Sequence, residues 1–305
     1  MKDFGEILTA VITPFDSNGV ISTDTFWRLC KKLVHEKSEG LVLSGTTGES
    51  PNLSFEDRKI LYSTAKDAVG DKANIIAGSG TYSTSESIEI TKMAVDQGVD
   101  GIMIVTPYYS KPSQYGIVKH FEAISKITDL PIMAYNIPGR TGTLIEVATL
   151  NTLIDDLGIH SIKDAVGDWS FSKIEIEELN EKVFIYSGND SETIDFINAG
   201  AKGVVSVASH VIGNEISDLI KLVKSGKLED AQKEQEKLLP LFNAIFEEPN
   251  PGPIKHLLTY SWEDVGIPML PITEISTDLA QKLTEIYNSI NYLILSSPLI
   301  KYGII

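Results

Sequence analysis

The chain has 305 residues and a formal net charge of −16, with 42% hydrophobic and 22% charged residues. This is the composition of a globular protein, and it excludes wholesale disorder. The acidic balance argues against a nucleic-acid surface and against docking on anionic lipid, because both need clustered basic side chains. Any anionic ligand therefore requires a locally positive site.

Cysteine content and the N-terminal residues predict the cellular location. Cys30 is the only cysteine, which excludes an internal disulfide and a metal cage built from cysteines. The first residues carry Asp3 and Glu6 before Pro14, a pattern too interrupted for a signal peptide. No stretch reaches the roughly 18 apolar residues that a membrane helix needs. We therefore expect a soluble, cytoplasmic protein with no membrane partner.

Short apolar runs alternate with longer amphipathic segments along the chain. The runs are rich in Ile and Val and lack polar alternation, as expected for parallel strands buried on both faces. They cover residues 8–13, 41–44, 74–78, 101–106, 131–135, 159–164, 183–187 and 203–207. Between them, segments such as 54–69, 85–97 and 114–127 repeat apolar residues at spacings of three and four, which predicts helices.

Eight strands in strict β-then-α order predict an α/β fold, a (β/α)8 TIM barrel with a C-terminal helical extension. The alternative, a doubly wound open sheet, would usually show fewer strands and a glycine-rich turn after the first one. We assign residues 1–225 to the catalytic barrel and residues 226–305 to a C-terminal helical region with an apolar tail. Within that region, residues 227–246 and 276–291 are predicted helices on either side of a proline-rich connection.

Barrel enzymes collect their reacting groups at the C-terminal ends of the strands. Lys163 lies near the end of the sixth predicted strand, where desolvation favours the neutral amine that attacks carbonyl groups. A lysine that is solvated or paired with Asp164 is the structural alternative. Tyr135 ends the neighbouring strand and could exchange protons with Lys163. For a lone tyrosine, packing in the barrel mouth is the simpler explanation.

Two further strand ends carry groups suited to anions. Thr46 and Thr47 lie in a glycine-bounded turn whose hydroxyl and N–H groups could hold a carboxylate or relay a proton, or could simply form a tight turn. Arg140 follows the fifth strand at the predicted mouth, and a guanidinium is suited to bidentate binding of a carboxylate. Arg28 and Arg58 fall on helical patterns, where solvated faces are expected.

The sequence carries no metal-binding or nucleotide-binding motif. None of the five histidines forms a His-x-His or His-Glu-x-x-His pair, and only His210 follows a strand at the mouth. One histidine does not make a metal site, so a metal-dependent hydrolase is disfavoured. A P-loop is also absent from the sequence. We expect no cofactor and no metal.

Together and in this order, the strand-end motifs resemble the dihydrodipicolinate synthase and N-acetylneuraminate lyase superfamily of Schiff-base barrel enzymes. The resemblance runs from about Leu8 to at least Ser289. The motifs that carry it are Gly45-Thr46-Thr47-Gly48-Glu49, Tyr135-Asn136-Ile137-Pro138-Gly139-Arg140, Lys163 and Ser187-Gly188-Asn189-Asp190. Arg140 and the run Thr106-Pro107-Tyr108-Tyr109 are similar to the dihydrodipicolinate synthase branch, because sialic-acid and sugar-acid lyases generally lack this arginine.

The resemblance implies a lyase that condenses pyruvate with L-aspartate 4-semialdehyde to 4-hydroxy-tetrahydrodipicolinate in diaminopimelate and lysine biosynthesis. It implies that Lys163 forms an imine with pyruvate, and that Thr46, Tyr135 and Tyr109 relay protons. Tyr109 would come from a neighbouring subunit, which makes a dimer the minimum and a homotetramer, a dimer of dimers, the expected assembly.

The resemblance also implies a set of substrate-binding residues. Thr47 would hold the carboxylate of pyruvate, and Arg140 would hold that of the semialdehyde. Gly188 and Val205 would lie beside the lysine, contributing a backbone contact and an apolar wall. Two alternatives stay open: an N-acetylneuraminate or 2-keto-3-deoxy sugar-acid lyase of the same superfamily, and a non-catalytic pyruvate-binding protein.

Two features depart from the relatives that lysine inhibits. Those relatives carry histidine and asparagine where Phe55 and Tyr82 stand here, although Tyr108 and Glu86 are retained. A phenol at position 82 could fill the effector pocket, so we expect weak lysine inhibition or none. The apolar tail after Tyr292 is longer than in the family and could form an association surface.

Overall fold

A computed structural model describes the backbone of residues 2–296 and the side chains of residues 2–290. Eight parallel strands close into a barrel in sequence order, because β1 pairs with both β2 and β8. The strands are β1 Ile7–Ala10, β2 Gly40–Leu43, β3 Asn74–Gly78, β4 Gly101–Val105, β5 Ile132–Asn136, β6 Ser161–Asp164, β7 Phe184–Ser187 and β8 Gly203–Ser206. The predicted TIM barrel is confirmed.

Helices follow the strands, and most of them cover the outside of the barrel. They are α1 Thr23–His35, α2 Phe55–Val69, α3 Thr84–Asp96, α4 Gln114–Ser125, α5 Pro138–Thr141, α6 Val147–Leu157, α7 Trp169–Leu179, α8 Thr193–Ala199 and α9 Ser209–Lys224. The start of α2 shows how the sequence sets these bounds. Ser54 and Asp57 form a reciprocal capping box, and this satisfies backbone N–H groups that the first helical turn leaves free.

Three more helices follow the barrel: α10 Leu228–Ala244, α11 Gly252–Ser261 and α12 Thr277–Ser296. The sequence predicted a proline-rich connection where α11 lies, and this part of the prediction is wrong. Pro251 is the residue before α11 and Pro253 lies in its first turn, where a missing N–H costs no helical hydrogen bond. The prolines therefore mark the start of a helix. The apolar tail predicted after Tyr292 lies beyond the described side chains.

None of the helices in the described part is long and apolar enough to cross a membrane. The strands are almost entirely buried, which explains why they appear in the sequence as continuous apolar runs. Their C-terminal ends converge at one end of the barrel, which we call the mouth. Of the eight strands, β6 alone carries charged residues, Lys163 and Asp164.

Candidate active site

A cavity of about 190 Å³ opens at the barrel mouth. Its walls come from the ends of β2 to β5 and from the loops that follow them. The lining residues are Ser44, Gly45, Thr46, Ser50, Pro51, Gly78, Gly80, Met103, Val105, Tyr108, Tyr135, Ile137, Arg140 and Thr141. The structure thus brings three of the predicted residues, Thr46, Tyr135 and Arg140, around one space.

Lys163 lies inside the barrel, directly against Tyr135. The two residues are register partners on β6 and β5, and Lys163 Nζ lies 4.1 Å from the centre of the Tyr135 ring. The Lys163 residue is only 6% exposed. Within the described part of the chain its ammonium forms no ion pair with a carboxylate. The alternative in which Lys163 is paired with Asp164 is therefore not what the structure shows.

Asp164 faces the opposite side of β6 because successive side chains on a strand point to opposite faces. Its carboxylate accepts hydrogen bonds from the Ser172 hydroxyl on α7 and from Val166 N. Burial raises the pKa of Asp164 to about 6. Glu175, also on α7, is buried, and neither of its carboxyl oxygens has a hydrogen-bond partner among the described atoms. Burial, and then Asp164, raise the pKa of Glu175 well above its usual value.

The turn after β2 is anchored at several points. Thr46 faces the cavity, and Thr47 is buried with its Oγ1 accepting a hydrogen bond from Asn250 Nδ2 at 2.8 Å. Glu49 has a left-handed backbone conformation, with φ 56°, and forms a buried ion pair of 2.7 Å with Lys255 Nζ. Both anchoring residues, Asn250 and Lys255, come from the region that follows the barrel. Sequence reasoning missed them, because no local motif signals their contact.

Arg140 supplies a positive charge at the rim of the cavity. It belongs to the one-turn helix α5, whose first residue is Pro138. Its side chain is exposed, and among the described residues no carboxylate lies within ion-pair distance of it. A guanidinium in this position can bind a carboxylate that enters from solvent. The sequence prediction of a locally positive mouth in an acidic protein agrees with this placement.

Tyr108 and Tyr109 point in different directions. Tyr108 lines the cavity and packs edge-on against Tyr82, with 5.5 Å between ring centroids. Tyr109 has a backbone φ of 72° and is 92% exposed, and it does not line the cavity of its own chain. A non-glycine residue at positive φ is uncommon and costs free energy. The structure therefore turns this side chain away from its own site.

Gly188 and Val205 are not among the residues that line the cavity. A Cβ added at Gly188 would come within 2.7 Å of Ala165 Cβ, so only glycine fits at this place beside the end of β6. Lys163 on β6 pairs with Tyr186 on β7, and Tyr186 pairs with Gly203 on β8. Val205 lies two residues after Gly203, so its side chain points to the same face of the sheet as Lys163. This register puts Val205 on the inner face of the barrel.

Asp190 fastens the loop after β7 to the end of β8. Its carboxylate accepts hydrogen bonds from the Ser206 hydroxyl and from the N–H groups of Val207 and Ala208. Burial raises the pKa of Asp190, and these hydrogen bonds, with the charge of Lys163, oppose the shift. No separate role for Asp190 was predicted from the sequence.

Arg58 and His210 are structural. The sequence placed Arg58 on a solvated helix face, which is wrong: it is buried, and its guanidinium donates to Gly78 O and Ser50 O. His210 is also buried; Nδ1 bonds to Val207 O, and Nε2 accepts from Ile12 N. Burial lowers the pKa of His210 to about 4. Among the described residues there is no cluster of three metal-ligating side chains.

The chain is similar to known proteins over most of its length. A sequence model of the dihydrodipicolinate synthetase family matches residues 3–290. The 4-hydroxy-tetrahydrodipicolinate synthase of Prochlorococcus marinus (strain AS9601) is 43% identical over 295 residues, covering 94% of this chain and 96% of that protein.

Solved structures show the same similarity. A crystal structure of a dihydrodipicolinate synthase from Bacillus anthracis has a TM-score of 0.92 and 40% identity, covering 95% of this chain and 99% of that one. The enzyme of Cyanidioschyzon merolae, crystallised with lysine bound, has a TM-score of 0.92 and 37% identity, covering 94% and 98%.

Proposed function

The chain belongs to the dihydrodipicolinate synthetase family, and we propose that its barrel mouth condenses pyruvate with L-aspartate 4-semialdehyde to 4-hydroxy-tetrahydrodipicolinate. The protein is a lyase of lysine and diaminopimelate biosynthesis. The observation that carries the proposal is the buried Lys163 amine held against the ring of Tyr135, which lines a cavity that has Arg140 at its rim.

In this mechanism the Lys163 amine attacks the ketone carbon of pyruvate, and loss of water leaves an imine. The protonated imine withdraws electrons, so the adjacent methyl group loses a proton and becomes an enamine. The enamine carbon attacks the aldehyde carbon of the semialdehyde and forms the new carbon–carbon bond. The amino group of the semialdehyde then attacks the imine carbon, closes the ring and releases Lys163.

We assign the proton transfers to Thr46, Tyr135 and Tyr109. The first two face the cavity, whereas the exposure of Tyr109 supports its delivery to the site of a second subunit. We therefore propose a homotetramer built as a dimer of dimers. Mixing Lys163→Ala subunits with Tyr109→Phe subunits tests the shared site, because hybrids would contain one site with both groups intact. If mixed oligomers are shown to form and no activity is recovered, Tyr109 does not act in the active site of a second subunit.

We assign the two substrate carboxylates to different parts of the mouth. Thr47 and its turn hold the carboxylate of pyruvate near Lys163, and Arg140 holds the carboxylate of the semialdehyde at the rim. Gly188 and Val205 complete the wall around the lysine. We further propose that the enzyme works in the cytoplasm and that residues 226–305 form a region appended to the barrel in residues 1–225.

Borohydride trapping tests the proposal directly. Reduction in the presence of pyruvate should fix the pyruvate carbon skeleton on Lys163, and peptide mapping should find no adduct on Lys255, which is also deeply buried. Lys163→Ala should lose the adduct and the turnover of the semialdehyde together. An unmodified Lys163 in protein that turns over both substrates would overturn the mechanism. Assays with sialic acid and 2-keto-3-deoxy sugar acids separate the two lyase specificities.

A further inference from the structure

The turn that holds Thr47 is contacted by a residue from outside the barrel, Asn250. We infer that Asn250 is a positioning residue that directs the Thr47 hydroxyl hydrogen toward the carboxylate of pyruvate. The inference rests on the proposed function, because it assumes that Thr47 holds this carboxylate. Asn250 lies between α10 and α11, is 7% exposed, and donates from Nδ2 to Thr47 Oγ1 at 2.8 Å.

The direction of this hydrogen bond decides what the Thr47 hydroxyl can do. A hydroxyl has one hydrogen to donate and two lone pairs that accept. Because the Asn250 amide occupies one lone pair, the hydroxyl hydrogen must point away from it. Within the described part of the chain, Thr47 O–H donates to no other group. Its hydrogen is therefore available to an anion bound against this turn, where the neighbouring Thr46 lines the cavity.

The other end of the Asn250 amide supports a role in the site. Asn250 Oδ1 is buried and has no hydrogen-bond partner among the described atoms. The contact with Thr47 is therefore the one hydrogen bond that this side chain makes in the described structure. An asparagine retained only to satisfy the local fold would be expected to use both ends of its amide.

The turn itself is held so that the Thr47 hydroxyl stays in place. Glu49 pairs with Lys255 through Oε1 and accepts a hydrogen bond from Met269 N through Oε2. The Thr13 hydroxyl also holds the turn, because it donates to Gly48 O at 2.8 Å. With the backbone held in this way, the Asn250 amide restricts the rotation of the Thr47 hydroxyl.

Two substitutions at Asn250 separate positioning from packing. Asn250→Leu has a similar shape and removes the donor, so the Thr47 hydroxyl is free to rotate. Asn250→Asp keeps the shape but accepts a hydrogen bond from Thr47, which turns the hydroxyl hydrogen away from the substrate. We expect the half-saturating pyruvate concentration in the borohydride trap to rise about threefold for Asn250→Leu and tenfold or more for Asn250→Asp. The KM for the semialdehyde should change little.

A double-mutant cycle with Thr47 supplies the control. In a Thr47→Val background, Asn250→Leu should have no further effect on the pyruvate concentration dependence, because the hydroxyl is gone. In a Thr47→Ser background the threefold response should return. A packing effect would persist in Thr47→Val, and that result would overturn the inference. If Asn250→Leu does not fold, the same cycle can be made with Asn250→Asp. The increase in half-saturating pyruvate concentration that Asn250→Asp causes should be greatly reduced in a Thr47→Val background.

The trap also distinguishes this inference from the proposed function. If the wild-type protein forms no pyruvate adduct at Lys163, the proposed function itself fails. If the wild-type adduct forms and both Asn250 variants saturate at the wild-type pyruvate concentration, only the role of Asn250 is wrong. Thermal unfolding of each variant checks that the fold is retained.

Discussion

The buried ion pair between Lys255 and Glu49 gives the sharpest stability prediction. Each side chain is only 2% exposed, and their charged atoms are 2.7 Å apart. The Lys255→Met substitution keeps a long side chain but leaves the buried Glu49 carboxylate without its cation. Removing one partner of a buried pair costs about 3–5 kcal/mol. Lys255 also donates to Ile267 O, so that carbonyl loses a partner as well.

This loss of stability can be converted to a change in Tm. For 305 residues at about 2.1 cal/mol/K each, the unfolding entropy is about 0.6 kcal/mol/K near the transition. The Tm of Lys255→Met should therefore fall by about 5–8 °C. Scanning calorimetry measures the shift. Adding Glu49→Gln removes the stranded charge, and the amide oxygen still accepts from Met269 N, so the double variant should recover most of the loss.

An exposed ion pair provides the matched control. Lys182 pairs with Asp155 at 3.0 Å, but the side chains are 43% and 54% exposed. Because water and salt screen such a pair, Lys182→Met should cost no more than about 1 kcal/mol. The reasoning from burial would be refuted if Lys255→Met were as mild as Lys182→Met. It would also be refuted if the double variant were no more stable than Lys255→Met alone.

Three further predictions concern pH, specificity and regulation. Because burial raises the pKa of Glu175 in the native state, the unfolded chain releases this proton at a lower pH than the folded protein does. The free energy of unfolding should therefore fall by up to about 1.4 kcal/mol per pH unit as the pH rises from 4.5 toward the native pKa of Glu175. Glu175→Gln should remove this fall, and an unchanged slope in calorimetry contradicts the prediction. Arg140→Ala should raise the KM for the semialdehyde about ten- to hundredfold with little change for pyruvate, whereas the exposed Arg28→Ala should change neither. Because Tyr82 packs on Tyr108, we expect lysine to inhibit weakly or not at all, and strong inhibition in a steady-state assay would contradict this.

The barrel could be predicted from the sequence because its strands are buried on both faces. Each strand is visible in the sequence as a short run rich in Ile and Val, and eight such runs alternating with helical segments are compatible with few folds other than a barrel. Lys163 and Tyr135 could be singled out because barrel chemistry gathers at the strand ends. Their contact across β5 and β6 then follows from the register of neighbouring strands.

The anchoring residues could not be predicted, because their partners lie far away in the sequence. Asn250 contacts Thr47 from 203 residues further along the chain. Arg58 has a helical pattern typical of a surface, and its burial depends on carbonyl groups of two other segments. Prolines near residue 251 indicated a connection, although prolines are equally compatible with the first turn of a helix.

Strand β6 shows how chemistry and anchoring share neighbouring residues. Lys163 faces the mouth, while the next residue, Asp164, faces α7 and is held there by Ser172. If β6 slipped by one residue against its neighbouring strands, the two side chains would exchange faces. A carboxylate would then lie where the amine must react, and a lysine would lie among the helices. The hydrogen bonds of Asp164 therefore do more than satisfy a buried acid, because they fix the register that presents Lys163 to the substrate.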